Sequence, residues 1–297
     1  MIEKLEYLLA LAQEKHFGRA AEVCAVSQPS LSLGLKQLEE AFGVLLVNRG
    51  SRFIGLTAEG ERTLEWARRI VGDARAMRQD ISTLKRGLSG RLRIAVVPAA
   101  LPMITSVTQP LHARHPDVRF TILSRPAHDI PPLLENLDID AAMTYVDNEI
   151  SGRVTTVPLY REHYRLVVAK DSPLAQRDSV TWQSVATLPL CLLTLDTENR
   201  RFIDGLLRDA GGTPEITLES DSMSVLIAHV RTGAWVSVMP DRITLSADMT
   251  GSDLRTISIV EPEAVQTIGL VTPQRELTTP LIAALAAEAR RVSELLH

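Results

Sequence analysis

Hydrophobic positions in the first third of the chain recur at three- and four-residue intervals, the period of helices. Leu5, Leu8, Leu9 and Ala12 share one face of a helix that ends near His16-Phe17-Gly18. A short second helix covers Arg19 to Cys24. Ser27 then stands where an N-cap belongs, and Pro29 fits the first turn because its missing N–H has no helical partner there. The third helix runs from about Gln28 to Phe42. On a wheel turning about 100° per residue, Leu35, Leu38 and Phe42 fall within about 40° of Leu31 and form the stripe expected to be buried. Pro29, Leu33, Lys36 and Glu40 face the other way, with Ser32 and Gln37 flanking. Gly43 ends this helix. Val44 to Val47 reads as a short strand, Asn48 to Arg52 as a turn and Phe53-Ile54 as the return strand, with Thr57 the next N-cap. From Ala58 to about Leu88 a longer helix carries Leu64, Ala67, Ile70, Val71, Ala74, Met77, Ile81 and Leu84. That stripe outruns what a small domain needs and predicts pairing with a second copy of the helix.

After Leu88-Ser89-Gly90 the period changes. Leu92–Val97, Val118–Leu123, Ile139–Thr144 and Tyr164–Ala169 are short β-branched runs, and helical stretches such as 102–114 and 129–136 alternate with them. This alternation predicts a mainly parallel sheet with covered faces, and a stretch this long fits two α/β lobes with a cleft between them.

Composition adds limits. The chain has 297 residues, 45% hydrophobic and 23% charged, which suits two folded domains and excludes a disordered or collagen-like chain. Aromatics make up only 4%, so the cores are built from Leu, Val, Ile and Ala. No apolar run reaches a membrane-spanning length, and the first residues lack the basic-then-apolar order of a leader, so a cytoplasmic protein with no membrane partner is expected. Net charge is −4, but residues 1–90 carry 13 Lys/Arg against 11 Asp/Glu while the remaining 207 carry 19 against 25. A polyanion partner therefore belongs at the N-terminal end.

The short helix, the turn Ala25-Val26-Ser27 and a following helix with an exposed face of small and hydrogen-bonding residues match a helix-turn-helix, whose second helix enters the major groove by its N-terminal end. Ser27, Gln28, Pro29, Ser30, Ser32, Leu33, Lys36 and Gln37 are the candidate DNA contacts on it. Gln28 suits an adenine edge and Lys36 a phosphate or guanine. Pro29 and Leu33 offer only apolar contact, for which the thymine methyl is the partner. Arg49 and Arg52 belong to the strand-turn-strand, where Arg52 can reach a narrow minor groove. The runs Phe17-Gly18-Arg19-Ala20-Ala21, Val26 to Ser32, Leu38-Glu39-Glu40, Gly43-Val44-x-Leu46 and Leu56-Thr57-x-x-Gly60 resemble the winged helix-turn-helix of LysR-type transcriptional regulators. The later order agrees, with a linker helix, Gly90-Arg91-Leu92-Arg93-Ile94, Thr232-Gly233 and Met239-Pro240.

The resemblance implies an α/β architecture with three parts. Residues 1–58 form the winged helix-turn-helix, 59–90 the dimerising linker helix and 91–297 a two-lobed effector domain like that of periplasmic binding proteins. Lobe I takes 91–161 with 268–297 and lobe II takes 162–267. It also implies a homodimer or homotetramer on dyad-related promoter DNA, answering a small molecule held between the lobes and acting on RNA polymerase, with no cofactor. The sequence departs from the family at Leu33-Gly34, where a polar or basic residue and then Gln are usual.

Ligands of such folds bind outside the carboxyl ends of strands. The effector candidates are therefore Pro98, Ala99, Ala100 and Leu101 after the first strand, Ser124 and Arg125 after the second, and Thr144 and Tyr145 after the third. Thr194, Ser222 and Met223 face them from the other lobe. Relatives often carry a hydroxyl where Ala99 or Ala100 stands, so a small anion or carboxylate held by backbone N–H groups with Thr194 or Ser222 is preferred to a bulky aromatic diacid.

Rival readings have less support. The two cysteines, Cys24 and Cys191, do not form a regulatory pair within the second half, and no CxxC spacing marks a zinc site. His112 and His115 lack a third ligand, and C-terminal capping charge is the better reading, so no metal is expected. No GxSxG, HExxH, GxxxxGK or GxGxxG occurs, and no catalytic residue is assigned. A free-standing binding protein of the periplasmic type would leave the N-terminal ninety residues without a role.

Overall fold

A computed structural model describes residues 1–49, 53–212, 214–246 and 253–296. The chain divides into two compact units. Met1–Ser89 with Pro132–Asp138 and Arg275–Pro280 forms the first, and Gly90–Pro131, Ile139–Gln274 and Leu281–His297 the second.

Residues 1–89 fold as α1 (Ile2–Glu14), α2 (Phe17–Val23), α3 (Gln28–Phe42), β1 (Val47–Arg49), β2 (Phe53–Leu56) and α4 (Ala58–Arg86). Leu5, Leu8, Leu11, Leu31, Leu35 and Leu38 meet Ala67 and Val71 in one core. Helix α2 begins earlier than expected because His16 caps it, its Nδ1 accepting from the N–H groups of Gly18 at 3.1 Å and Arg19 at 3.2 Å. Ser27 caps α3 as expected, its Oγ accepting from Ser30 N–H at 3.3 Å. Phe42 departs from the buried stripe and is 43% exposed. It is the last residue of α3, past the point where the core ends. The first wing strand also starts later than expected, at Val47 rather than Val44, and Val44 and Leu45 are exposed.

The single stripe expected along α4 is two. Leu64, Ala67, Val71 and Ala74 are buried, whereas Trp66, Ile70, Met77, Ile81 and Leu84 are exposed. The exposed five fall within about 60° of one another around the helix, so they make a second apolar face.

The chain continues as β3 (Gly90–Val96), a 3-10 helix Pro98–Ile104, α5 (Thr105–Arg114), β4 (Val118–Ser124), α6 (Ile130–Glu135), β5 (Ala141–Tyr145) and the long β6 (Val154–Ala169). Then come β7 (Ser179–Thr181), α7 (Trp182–Val185), β8 (Leu190–Leu193), α8 (Glu198–Asp209), β9 (Ile216–Ser220), α9 (Met223–Val230) and β10 (Ser237–Pro240). The chain closes with α10 (Asp241–Ser246), β11 (Leu254–Val260), β12 (Val265–Pro273) and α11 (Pro280–Leu296). No helix among the described residues is long and apolar enough to cross a membrane.

The strands of the second unit do not form the mainly parallel sheet expected. In the order β4-β3-β5-β12-β6-β11-β7, the pairs β3–β4, β3–β5 and β7–β11 are parallel, but β12 runs antiparallel to both β5 and β6. Strand β6 is also antiparallel to β10 and β11. A separate parallel pair, β8–β9, lies beside them. The difference comes from β6. It is 16 residues long, pairing β12 along its first part and β10 and β11 along its second. Arg161, Glu162 and His163 interrupt its apolar run, so the sequence pattern alone predicts this strand only from Tyr164. Around it, Trp182 donates to the Pro262 carbonyl at 3.0 Å. The buried Arg200 ties α8 to the neighbouring strands, donating to the Leu193 carbonyl at 2.7 Å and to Glu219 at 2.5 Å.

Candidate nucleic-acid interface and ligand site

The exposed face of α3 is held by a frame whose polar groups are matched. Glu39 is buried, and its Oε1 accepts from Leu46 N–H at 3.0 Å and Val47 N–H at 3.2 Å. This grip fixes where β1 starts. Thr57 closes the other side, donating to the Leu45 carbonyl at 2.7 Å and accepting from Gly60 N–H at 2.9 Å. A Cβ on Gly60 would stand 2.0 Å from the Leu46 carbonyl oxygen, so only glycine lets α4 start against this strand.

On that frame Ser27, Gln28, Pro29, Ser30, Lys36 and Gln37 are exposed, Ser32 is half-buried and Leu33 is 57% exposed. Most of these candidates are thus exposed along the first part of α3. Two details qualify this. The Ser27 and Ser30 hydroxyls bond each other at 2.8 Å, and Lys36 Nζ lies 3.8 Å from Glu40, one turn on, so each has a partner already. Arg52 lies outside the described residues, as does the side chain of Arg49. Gly34 is buried, and a Cβ there would meet the Tyr7 ring at 2.7 Å. The Tyr7 hydroxyl in turn donates to Glu3 at 2.6 Å, which pushes the phenol up to about 12. The departure at Gly34 is therefore a packing feature: glycine admits an aromatic ring against the helix.

The effector candidates fall into two groups. Pro98–Leu101, Ser124–Arg125 and Thr144–Tyr145 follow or end three neighbouring parallel strands, and Arg125 N–H donates to the Val96 carbonyl at 3.0 Å. Thr194 and Ser222 follow the parallel pair β8–β9, with Thr194 N–H donating to the Ser220 carbonyl at 3.2 Å. Ala99 and Ala100 are buried. Arg125 is exposed, and its guanidinium donates to the Ser124 carbonyl at 2.7 Å. The Ser222 hydroxyl is 2.8 Å from that of Ser224, the buried Thr194 Oγ1 has no hydrogen-bond partner among the described residues, and Met223 packs into a small apolar cluster with Leu226 and Met239. The buried Thr144 Oγ1 and Tyr145 hydroxyl have no hydrogen-bond partner among the described residues.

Beside Tyr145 lies a row of polar residues that the sequence pattern does not predict. Register sets Tyr145 and Tyr160 on either side of Ile268, and Gln266 opposite Glu162. Tyr160, Glu162 and Tyr164 alternate along β6 and are all buried. Tyr164 donates to Gln266 Oε1 at 2.5 Å and receives Asn199 Nδ2 at 3.4 Å, while Tyr160 reaches Glu162 at 3.5 Å. Glu162 Oε2 and Asp241 Oδ1 have no partner among the described residues. Burial, with the Asp241 charge added, pushes the Glu162 carboxyl up to about 8, so it is largely protonated at neutral pH. The tyrosines are pushed up by the same burial and remain donors. The available signal was the alternation of Tyr160, Glu162 and Tyr164 at the period of a strand.

The Cys191 thiol is fully buried and pushed up to about 11 by desolvation, and Cys24 is half-buried. His112 Nδ1 faces the Val118 carbonyl at 3.3 Å, and no group of three His, Cys, Asp or Glu able to hold a metal occurs among the described residues. Asp140 and Asp147 accept from the N–H groups of Arg93 at 2.8 Å and Thr267 at 2.6 Å, which gives both a structural role.

Residues 2–61 match the bacterial regulatory helix-turn-helix protein, lysR family, and residues 85–294 the LysR substrate binding domain. The hydrogen peroxide-inducible genes activator of Pectobacterium carotovorum subsp. carotovorum is 28% identical over 271 residues, covering 91% of this chain and 89% of that one. A full-length cysteine-to-aspartate variant of OxyR from Pseudomonas aeruginosa superposes with a TM-score of 0.75 at 26% identity, covering 99% and 96% of the two chains. CbnR in complex with its target DNA shares the fold, with a TM-score of 0.62 at 21% identity over 98% and 99% of the chains. With its reading helix, its long α4 and its mixed α/β domain all accounted for, this chain belongs to the LysR family, as a DNA-binding transcriptional regulator with an effector-binding domain rather than an enzyme.

Proposed function

We propose that the protein works in the cytoplasm as a homodimer or homotetramer on dyad-related promoter sites, and that a small effector alters its hold on DNA and the access of RNA polymerase. In this reading residues 1–58 read DNA and 59–90 pair through α4. Residues 91–161 with 268–297 and residues 162–267 form the two lobes that enclose the effector. The observation that carries the DNA part is the exposed surface of Gln28, Pro29 and Leu33, with the half-buried Ser32 among them, on a helix clamped by Glu39 and Thr57. The second apolar face of α4, from Trp66 to Leu84, supports pairing.

The effector surface is rich in hydroxyls. Thr144, Tyr145, Thr194 and Ser222 can donate to carboxylate oxygens, which makes a small anion or carboxylate the first class to test. Peroxide sensing, suggested by the name of the Pectobacterium relative, has no support here, because the second unit's single cysteine, Cys191, is buried with its thiol raised to about 11.

Footprinting on the DNA flanking its own gene tests the proposal, with titrated protein at two salt concentrations and with small carboxylates added. Two separated protected segments that weaken steeply with salt are expected. Effector is expected to change their spacing or the bend between them, since a ligand must favour one state to shift it. Identical footprints and bends under saturating effector would overturn the mechanism. Ile70→Asp should disperse the oligomer, and an unchanged sedimentation profile would contradict pairing through α4.

A further inference from the structure

We propose that the hollow where β6 passes from one set of partners to the other is a second ligand site, separate from the effector candidates above, and that it takes a small zwitterion of the α-amino-acid type. Strand β6 pairs with β12 as far as His163, opposite Val265, and from Tyr164 and Arg165 onward it pairs with β10 and β11. Between the end of β11 at Val260 and the start of β12 at Val265 the chain loops away. The space left is a cavity of about 460 Å³ whose wall includes His163, Tyr164, Arg165, Asp241, Ser258 and Glu261. That volume is in the range of small-molecule sites. None of the effector candidates read from the sequence lines it.

The wall carries charges of both signs. Arg165 is half-buried; its Nη1 donates to the neutral Ser258 hydroxyl at 2.6 Å, and among the described residues it forms no ion pair with a carboxylate. An arginine held this way keeps donors free for a bidentate carboxylate. Asp241 contributes a buried Oδ1 with no partner among the described residues. Glu263, by contrast, is engaged by His163 at 3.2 Å, so Asp241 and Glu261 are the acids left on the wall. A simple diacid would meet Asp241 and Glu261 with like charge, and a simple amine would leave Arg165 unanswered. A ligand carrying one carboxylate and one ammonium answers both. Bound there, it would bridge β6, β11 and the first residue of α10 at the point where β6 changes partners.

The experiment is a thermal-shift survey of the full-length protein against each of the twenty L-amino acids at about 10 mM, followed by calorimetry on those that stabilise it. At least one free amino acid should bind, and its N-acetyl and carboxamide derivatives should each bind roughly tenfold more weakly or worse. Arg165→Met should weaken binding at least about tenfold, with Arg165→Lys in between because a lysine offers no fork. Asp241→Asn should erase the difference between the free and N-acetyl forms. Unliganded melting and DNA binding of each variant report folding, and Arg165→Lys keeps the test open if the methionine variant unfolds. The absence of stabilisation by every amino acid overturns the proposal, and so does binding that persists unchanged in folded Arg165 and Asp241 variants.

Discussion

Glu39 and Glu162 are both buried acids, one in each unit, and the fold treats them in opposite ways. Glu39 takes two backbone N–H groups at 3.0 and 3.2 Å, an arrangement that fixes one chain segment against another. Glu162 is fully buried, yet among the described residues it has one long bond from Tyr160 at 3.5 Å and an Oε2 with no partner. A buried carboxyl left that way is costly when ionised, which is why its proton is held up to about 8. The DNA-reading unit thus uses its acid to make one rigid geometry. The effector unit holds a polar row with unmet hydrogen-bonding capacity among the described residues.

The largest expected effect follows from that contrast. A carboxyl bound to its proton in the folded state up to about pH 8, but only to its ordinary value near pH 4.3 when unfolded, makes the folded state hold more protons between those limits. Stability must then fall as pH rises, by about 1.4 kcal/mol per pH unit, or about 4 kcal/mol between pH 5 and pH 8. Glu162→Gln should flatten this profile and be the more stable protein at pH 8. Urea unfolding of both proteins at several pH values reads it, and parallel profiles would show that Glu162 is paired and ionised.

Removing Glu39 should destabilise the fold instead. Glu39→Ala strips two buried N–H groups of their acceptor and should cost about 3 kcal/mol, with loss of DNA binding. Glu39→Gln keeps one carbonyl acceptor and should cost less. Equal stability of the alanine variant and the parent would reduce the contrast between the two acids to burial alone.

What could be read from the sequence follows the same division. In the first unit the informative residues are neighbours along the chain: Ser27 caps α3 from three residues away, and Leu31, Leu35 and Leu38 lie on one helical stripe. Where reach was longer, the reading slipped. The start of β1 depends on Glu39, seven and eight residues from the amides it holds. In the second unit the polar row is assembled from β5, β6, α8 and β12, and the Tyr164–Gln266 bond spans 102 residues. No local pattern could announce it. The alternation along β6 was present but masked, because its outward side chains are charged and its inward ones, Tyr160 and Glu162, are partly polar.

The departure at Leu33-Gly34 sharpens the comparison on a smaller scale, since one residue faces out and the next faces the core. Gly34→Ala would press a methyl against the Tyr7 ring, at 2.7 Å before relaxation. This should cost about 2 kcal/mol, well beyond any gain in helix propensity. Tyr7→Leu should recover much of that loss, so a double-mutant cycle on thermal unfolding should give a coupling near 1 kcal/mol. Strict additivity would mean that the ring simply swings aside.

Leu33 has the smallest expected effect, and it concerns recognition rather than stability. It is 57% exposed at the N-terminal end of α3, among residues that can otherwise hydrogen-bond. An apolar side chain there can gain only from the thymine methyl, whereas glutamine at the same place can pair with an adenine edge. Selection of binding sites from a randomised pool should therefore return thymine at the position under Leu33, and Leu33→Gln should move that preference to adenine by about 1 kcal/mol without changing the melting temperature. Guanine under Leu33 in the parent protein would mean that another side chain, with Lys36 the nearest cation on that face, reads the base. The reading surface would then lie one turn further along α3 than its exposed N-terminal end suggests.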